Sequence, residues 1–345
     1  MGHDTLLSLE QDELERRVVA LGGRPFHARV ACEQVLAAGV LQYGAMTALP
    51  APLRARLARE LPILAAREVE RVRSRDDTTK LLLGFARADG GEDAIETVHI
   101  PPRSRAARRG ATVCVSTQVG CPVACPFCAS GLAGLVRNLA PHEIVEQFVR
   151  ARELGPLSRA VVMGIGEPLL NHDSVRAALE RVQAAFGLGA RRVTLSTVGF
   201  PERLRRIAPT RPPFQLAISL HTAFDHERDM LVPAMRGTPV AEVVAAGDDW
   251  FERTGREVTY EIVLLGGVND SREHAGALAR LLAGRRAAVN LIPFNPVAAS
   301  GYRRPTAEAV ESFRARLAAG GLVATVRWSR GVETDAACGQ LRLRR

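Results

Sequence analysis

The spacing of apolar residues marks the beginning of the chain as helical. Five apolar residues recur there at helical spacing: Leu6, Leu9, Leu14, Val18 and Leu21. Gly22 and Gly23 end this run, and similar patterns predict helices over 28–38 and 52–60. We therefore expect a small helical accessory domain over residues 1–75.

Strand character begins near Lys80. Two apolar runs within 80–100 flank an Asp-Gly-Gly turn, a pattern that predicts a β-hairpin. A polar linker follows, and its four arginines are Arg103, Arg105, Arg108 and Arg109. Such a linker either grips RNA phosphate or remains a solvated loop. The predicted second region, 76–110, thus joins the hairpin that carries Glu96 to a basic linker.

From residue 111 onward, strand-like and helix-like segments alternate. The strand candidates are 111–117, 160–166, 191–198, 214–221, 258–265 and 288–294. The helix candidates between them include 141–154, 173–186, 240–254 and 271–284. Alternating β and α units predict an α/β fold with parallel strands and right-handed crossovers. Six units are too few for a closed eight-stranded barrel, so we favour a partial (β/α)6 barrel over 111–320 rather than a flat doubly wound sheet.

The remaining segment, 321–345, is predicted to be a C-terminal strand and a tail that carries Cys338. In either a partial barrel or a doubly wound sheet, functional groups gather at the carboxyl ends of the parallel strands. The polar motifs of this chain fall at those ends.

The net charge of +9 and the isoelectric point near 10.0 favour a polyanionic partner such as nucleic acid. Compositional bias is the alternative, because Lys80 is the only lysine and arginine supplies the rest of the positive charge. The chain shows neither an apolar stretch long enough to cross a bilayer nor a secretory leader, so we expect a cytoplasmic protein without a membrane partner.

Four of the six cysteines lie in one short segment, and three of these form a C-x3-C-x2-C motif: Cys121, Cys125 and Cys128. In a cytosolic chain, such clustering indicates metal or redox chemistry rather than a disulfide framework. Three thiolates can hold three irons of a [4Fe–4S] cube and leave the fourth iron open. A structural zinc site would need a fourth ligand, for which only His142 is at hand in a predicted helix. The spacing favours the open cluster over zinc or inert thiols.

This motif and its surroundings resemble the bacterial 23S rRNA adenine-C2 methyltransferase family of the radical S-adenosylmethionine superfamily, in its dual-specificity rRNA and tRNA branch. The resemblance covers residues 5–341. It rests on segments 115–121, 137–139, 164–168, 196–199, 219–221, 267–270, 290–296 and 335–340. Ser130, Ile165 and Val35 depart from the usual residues of the family.

The resemblance implies a [4Fe–4S] cluster held by the three cysteines and two molecules of S-adenosylmethionine per turnover. One methylates Cys338, and the other yields a radical that activates this methyl group for attack on adenine C2. Glu96 would remove the C2 proton as general base. Cys114 would release the product by forming a disulfide with Cys338.

The family pattern also implies a set of contacts to S-adenosylmethionine from strand ends: Gly166, Glu167, Ser196, Ser219, Leu220, His221 and Asn295. A carboxylate suits an ammonium group, and glycine permits close approach. By the same resemblance, the partners are 23S rRNA and tRNA, which the helical domain over 1–75 would help to dock, with a reductant of the flavodoxin or ferredoxin type. We also expect a monomer.

Without the resemblance, simpler interpretations hold for several residues. Cys114, Cys338 and Cys32 would be packing cysteines, and Glu96 would be an exposed strand carboxylate. Two other functions also stay open: the related C8-methylating resistance branch, and a non-catalytic iron–sulfur or zinc RNA-binding module. The combination of Cys114, Cys338 and Glu96 argues against the binding module, which needs none of them.

Overall fold

The computed structural model describes residues 4–102, 110–297 and 300–341. Within these ranges the α-helices are α1 Gln11–Ala20, α2 Pro25–Leu36, α3 Ala51–Glu60, α4 Pro141–Arg152, α5 His172–Phe186, α6 Pro201–Ile207, α7 Asp225–Leu231, α8 Val240–Thr254, α9 Arg272–Leu282 and α10 Ala307–Ala319. The strands are β1 Ala66–Arg73, β2 Thr79–Ala86, β3 Glu92–Ile100, β4 Ala111–Cys114, β5 Gln118–Gly120, β6 Leu135–Asn138, β7 Leu157–Val162, β8 Val193–Thr197, β9 Gln215–Ser219, β10 Val258–Leu264, β11 Ala287–Pro293 and β12 Val323–Val326.

The three predicted N-terminal helices are present as α1, α2 and α3. They bury one apolar stripe each, with Leu14, Val35 and Leu57 fully enclosed in a common core. The helical region predicted over 1–75 ends earlier than expected, because its last helix ends at Glu60 and 66–73 form β1. Five of the eight residues of this segment are charged, and it pairs antiparallel with β2 with an irregularity between Glu68 and Glu70. Its charges suit an edge strand, whose outer side faces water.

Ten strands form one sheet in the order β1-β2-β3-β4-β7-β8-β9-β10-β11-β12. The pairs from β1 to β4 are antiparallel, which confirms the predicted hairpin over 80–100 as β2 and β3. From β4 onward all neighbours are parallel. All six predicted parallel strands are present, and the predicted terminal strand joins them as β12.

The parallel strands follow one another in chain order without reversal, so every crossover advances in the same direction. This is the winding of a barrel rather than of a doubly wound sheet, which reverses at a switch point. In the described residues β1 and β12 each have one neighbouring strand, so the barrel stays open. The main core lies between this sheet and the helices.

The two faces of the sheet differ in character. On the β2–β3–β4 segment, alternate residues such as Leu81, Ile95 and Val113 join the main core. The opposite face holds a second, smaller cluster in which Val98 and Cys114 pack with Ile165, Ala336 and Leu341. The chain beyond β12 therefore returns to cover the inner face of the first strands.

The helices among the described residues are all too short or too polar to span a membrane.

Candidate active site

A cleft opens at the carboxyl ends of the parallel strands, where the fold class predicts function. Its empty space, counted together with the open solvent at its mouth, is about 910 Å³. The loops after β4 and β7 and the ends of β8, β9, β10 and β11 line it, together with Cys338 and Gly339 from the tail. Ten of the eleven residues predicted from the sequence as metal ligands, S-adenosylmethionine contacts or methyl carrier line this cleft: Cys121, Cys125, Cys128, Gly166, Glu167, Ser196, Ser219, His221, Asn295 and Cys338.

The cysteine loop (residues 121–128) is clamped between β5 and β6. The Cys121 N–H donates to the Gly134 carbonyl at 3.0 Å, and the Cys128 N–H donates to the Cys125 carbonyl at 3.0 Å. Gly120 has a φ of +77°, and a Cβ there would lie 1.9 Å from the Gly134 oxygen. Only glycine therefore permits the close pairing that fixes the base of the loop.

Burial raises the pKa of all three thiols, that of Cys121 to about 12. Backbone N–H groups oppose this effect by donating to the sulfurs, from Val123 and Gly166 to Cys121 and from Ser130 and Gly131 to Cys128. Donors aimed at buried sulfurs are a feature of iron–sulfur sites, where they tune the cluster. The loop therefore fits a group that would bind the three sulfurs as thiolates.

Among the side chains that the structure describes, no three of His, Cys, Asp or Glu converge on a single-ion position. A four-iron cluster is a larger object than one ion, and its cysteine ligands bind separate irons. The three cysteines line the cleft, so a ligand on the open iron of such a cluster would lie among the other residues that line it.

Glu167 follows β7 and is locked in place. Its carboxylate accepts hydrogen bonds from the Leu169 N–H at 2.9 Å, the Thr197 hydroxyl at 2.6 Å and the Val198 N–H at 2.9 Å. Burial raises its pKa, while these three donors oppose the rise. A carboxylate has about four acceptor positions, so one remains for a ligand. Gly166, at φ +111°, packs so tightly that a Cβ would lie 2.7 Å from the Thr117 hydroxyl.

Ser196 and Ser219 lie at the ends of adjacent strands, next to Glu261, a carboxylate that the sequence analysis did not predict as part of the site. The Ser196 hydroxyl lies 3.2 Å from that of Ser219 and donates to Glu261 at 2.8 Å. The second Glu261 oxygen has no hydrogen-bond donor among the described residues and lies 3.8 Å from Arg327. This buried acceptor on the cleft wall suits a hydroxyl or ammonium donor of a ligand.

His221 is held in an unusual backbone conformation at the end of β9, with a φ of +68°. Its Nδ1 accepts the Val263 N–H at 3.2 Å, and the Asn269 amide donates to its carbonyl at 2.8 Å. Burial lowers its pKa to about 3, so the ring is neutral with its proton on Nε2. Leu220, by contrast, does not line the cleft: its side chain is fully buried in the core and its N–H donates to the Glu261 carbonyl.

Asn295 joins the barrel to the tail. Its amide donates to the Ser329 hydroxyl at 2.8 Å and to the Cys338 carbonyl at 3.0 Å. Its carbonyl oxygen is buried and, in the described part of the chain, accepts no hydrogen bond. Asn295 can therefore hold the tail with one end and a ligand with the other.

Cys338 and Cys114 lie close enough to influence each other electrostatically. Burial raises the pKa of Cys114 to about 12, and the negative charge of a Cys338 thiolate adds to this rise. That same thiolate is the main reason why the pKa of Arg327 is raised, and Arg327 also lies 3.2 Å from the Met163 sulfur. Both cysteines are free thiols in this structure. Cys114 packs beside Ala336 behind the cleft rather than in its wall.

Glu96 is fully buried, so its interpretation as an exposed strand carboxylate is wrong. It lies on the inner face of β3 outside the cleft lining and forms an ion pair with Lys80 at 3.0 Å. Its backbone carbonyl accepts the Ser116 hydroxyl at 2.7 Å. The strand alternation alone could not show that the tail covers this face.

The tail (residues 331–341) is fastened to the cysteine loop. The Ala129 N–H donates to the Gly339 carbonyl at 2.8 Å, and the Ser130 hydroxyl donates to the Leu341 carbonyl at 2.6 Å. Ser130 thus supplies the hydroxyl that the family's usual threonine also carries. Ile165, the other nearby departure, is a buried member of the small apolar cluster, where it replaces methionine without adding a polar group.

Sequence reasoning missed Lys80, Glu261 and Arg327 as parts of this site. The signal for Lys80 was its uniqueness, since it is the only lysine of the chain. Cys32 lies in α2 among the N-terminal helices, as its packing interpretation expects. The arginines of linker 103–109 lie outside the described residues.

Known proteins match both the sequence and the fold. The radical SAM superfamily model matches residues 115–279. A protein of Symbiobacterium thermophilum named "Probable dual-specificity RNA methyltransferase RlmN" is 44% identical over 100% of this chain and 92% of its own. A protein of Rhodopirellula baltica with the same name is 41% identical over 99% of this chain and 91% of its own.

Among solved structures, a radical SAM methyltransferase from Sphaerobacter thermophilus superposes with a TM-score of 0.88 and 43% identity. It covers 98% of this chain and 99% of its own length. The similarity thus spans the helices, the hairpin, the barrel and the tail together. The resemblance found in the sequence motifs is confirmed, and this chain belongs to the dual-specificity RNA methyltransferase family of radical S-adenosylmethionine enzymes, which use a [4Fe–4S] cluster.

Proposed function

We propose that this enzyme methylates C2 of an adenosine in 23S rRNA, with tRNA as a second substrate, through a methyl group carried by Cys338. The observation that carries this proposal is the meeting of Cys338 with both Cys114 and the cysteine loop. The Ser130–Leu341 bond that fastens them joins residues 211 positions apart. A protein that only bound RNA would not need the Cys114 thiol behind Cys338.

Adenine C2 is an sp² carbon without a lone pair, so direct attack on a sulfonium methyl group is unfavourable. When bound, the cluster and S-adenosylmethionine supply methyl groups and radical chemistry. Each turnover uses two molecules of S-adenosylmethionine. We assign the cluster to Cys121, Cys125 and Cys128. We assign the second ligand to Gly166, Glu167, Ser196, the 219–221 segment with its Leu220 backbone, and Asn295.

The chain's own residues then act in sequence. Cys338 loses its thiol proton and accepts the methyl group. The radical chemistry that the bound group would supply would take one hydrogen atom from this methyl carbon and, once the carbon is bonded to adenine C2, one electron from the adduct. Glu96 accepts the C2 proton. Cys114 attacks the Cys338 sulfur, so that the S–S bond forms as the bond between sulfur and the new carbon breaks, and that carbon takes up a proton. A thiol reductant returns the disulfide to two thiols for the next turnover.

Positive charge and an exposed ring near the tail support RNA as the substrate. Trp328 is 45% exposed, and the Arg304 guanidinium lies 5.7 Å from its ring centroid. The neighbouring Ser329 contacts Asn295 of the cleft. A ring beside a cation offers a stacking surface for an unpaired base. We place the RNA at this side, with the N-terminal helices and the 103–109 linker as further contacts.

We further propose a cytoplasmic monomer that receives electrons from a flavodoxin or ferredoxin. The net charge of +9 supports association with such acidic electron carriers as well as with RNA.

The deciding experiment is mass spectrometry of nucleosides from RNA incubated with the anaerobically reconstituted, reduced enzyme and S-adenosylmethionine. We expect 2-methyladenosine, absent with Cys338→Ala and retained with Cys32→Ala, a matched cysteine variant in α2. An 8-methyladenosine product would transfer the enzyme to the C8-methylating branch. The absence of any modified base, where a related enzyme succeeds, would contradict the proposal.

A further inference from the structure

Lys80 is the only lysine in a chain with 46 basic residues of the Lys and Arg type. It is also buried, with 3% of its side chain exposed. Burial of an ammonium group is costly unless the charge is paired and hydrogen-bonded. A chain that otherwise uses arginine thus keeps a lysine at one water-excluded position, which calls for an explanation from its surroundings.

Two groups from separate parts of the chain surround the ammonium. Its Nζ lies 3.0 Å from the Glu96 carboxylate and 3.0 Å from the Asp335 backbone oxygen. In the sheet, Lys80 pairs with Val98 and Leu82 pairs with Glu96. Lys80 and Glu96 are therefore diagonal neighbours on one face, within reach of long side chains.

Cys114, the thiol proposed to release the product, lies on the same face of the sheet. Val98 pairs with Cys114 across β3 and β4, so Glu96, Val98 and Cys114 lie on one side of the sheet. Asp335 stands three positions before Cys338, in a turn where its φ is +51°. The Lys80 ammonium thus contacts both Glu96 on β3, the proposed general base, and the turn at Asp335 that leads to Cys338, the proposed methyl carrier.

Lysine suits this position better than arginine for a geometric reason. An ammonium is a compact charge whose three donors point in different directions, so it can reach a carboxylate and a carbonyl from separate elements. A guanidinium is planar and wider, and its donors form a rigid fork.

We propose that Lys80 is a positioning residue for the proton-transfer step: it holds Glu96 as an oriented carboxylate and fixes the Cys338 turn relative to it. This inference rests on the proposed function of Glu96 as the base. Its distinctive consequence is that loss of Lys80 impairs removal of the C2 proton more than methylation of Cys338.

The test uses Lys80→Met, Lys80→Gln and Lys80→Arg in the reconstituted enzyme. With Lys80→Met we expect a fall of about 100-fold in methylated RNA, while intact mass still shows methylated Cys338. Covalent RNA–protein adduct should accumulate on denaturing gels. RNA with deuterium at the target C2 should show a kinetic isotope effect larger than in the parent enzyme. Lys80→Arg should retain more activity than Lys80→Gln, since it keeps the charge.

Arg330→Met is the matched control. Arg330 pairs with Asp76 at 3.1 Å and so also ties the start of the tail to the hairpin region, without touching Glu96. We expect it to lower the unfolding temperature of the cluster-free protein without causing adduct to accumulate. If Lys80→Met behaves in the same way, with no adduct and no increased isotope effect, Lys80 is merely structural and the proposal is overturned.

Glu96→Gln distinguishes a failure of the proposed function of Glu96 from a failure of the inference about Lys80. If Glu96→Gln retains full activity, the proposed function of Glu96 fails and the Lys80 inference fails with it. If Glu96→Gln is inactive while Lys80→Met is fully active, the Lys80 inference alone fails. If the proposed function of Glu96 and the Lys80 inference are both correct, the Lys80→Met/Glu96→Gln double variant should have an activity no lower than that of Glu96→Gln, because the two residues act in one step. Should Lys80→Met not fold, Lys80→Gln and Lys80→Arg allow the same comparison.

Discussion

The cysteine loop and the tail deliver thiols to one cleft but are built in different ways. The loop is fixed by its neighbours in sequence, through β5, β6 and the bond from Cys128 to Cys125. The tail is held by distant groups, with Lys80 bonded across 255 positions and Ser130 across 211. Chemistry encoded by local spacing is visible in a motif, whereas chemistry assembled from distant contacts is visible only in the fold.

The largest expected effects come from removing one thiol on each side of this comparison. Cys125→Ser and Cys338→Ala should each lower RNA methylation by at least about 1000-fold, as loss of a cluster ligand or a covalent nucleophile does. Only Cys125→Ser should also lower iron and sulfide content, because the proposed cluster ligands include Cys125 and not Cys338. A fall in bound iron in Cys338→Ala would show that the tail belongs to the metal site and would abolish the distinction.

A smaller effect is expected where the two regions touch. Ser130→Ala removes the hydroxyl that holds Leu341, a bond with a net value of about 1 kcal/mol. We expect about a 10-fold loss of methylation rate with the cluster intact, since misplacement of a reacting group slows catalysis. Ser130→Thr should restore the rate.

Ser158→Ala is the control for this change, because the Ser158 hydroxyl donates to the Gly110 carbonyl at 2.6 Å, away from the cleft. It should leave the rate within about 2-fold of the parent. Equal losses in the two alanine variants would mean that Ser130 acts through general stability.

The smallest effect concerns the reactivity of Cys114 and Cys338 towards an alkylating reagent. The pKa of Cys114 is about 12, so its thiolate fraction should rise about 10-fold for each pH unit between 7 and 11. We expect iodoacetamide to label Cys338, which is partly exposed, before Cys114 at pH 7, with Cys114 labelling increasing steeply above pH 9. Peptide mass spectrometry of the reconstituted protein measures both. Labelling of Cys114 that does not change with pH would contradict its buried, protonated state.

Much of the fold followed from periodicity. The barrel strands and their helices had clear alternation, and their order along the chain implied their order in the sheet. Most of the charge-rich segment 66–73 was assigned wrongly to the helical domain, whereas pairing with β2 decides its structure. Edge strands carry such charges, and local pattern alone does not reveal their partner.

The site followed from the sequence only in part. The spacing of the three cysteines indicated a cluster without help from the fold. Glu96 drew its role from resemblance, and its burial became visible only when the tail was seen to cover β3. Glu261 and Arg327 belong to the site because three-dimensional proximity, not spacing, brings them to Cys338.

The position of the tail in the chain has a consequence for biosynthesis. A ribosome completes the cysteine loop and the barrel strands before it reaches Cys338, and early segments begin to fold first. A nascent chain can thus prepare the three-cysteine loop while the proposed methyl carrier is still missing. On the proposed function, the order of synthesis separates assembly of the part that would hold the cluster from completion of the part that would carry the methyl group.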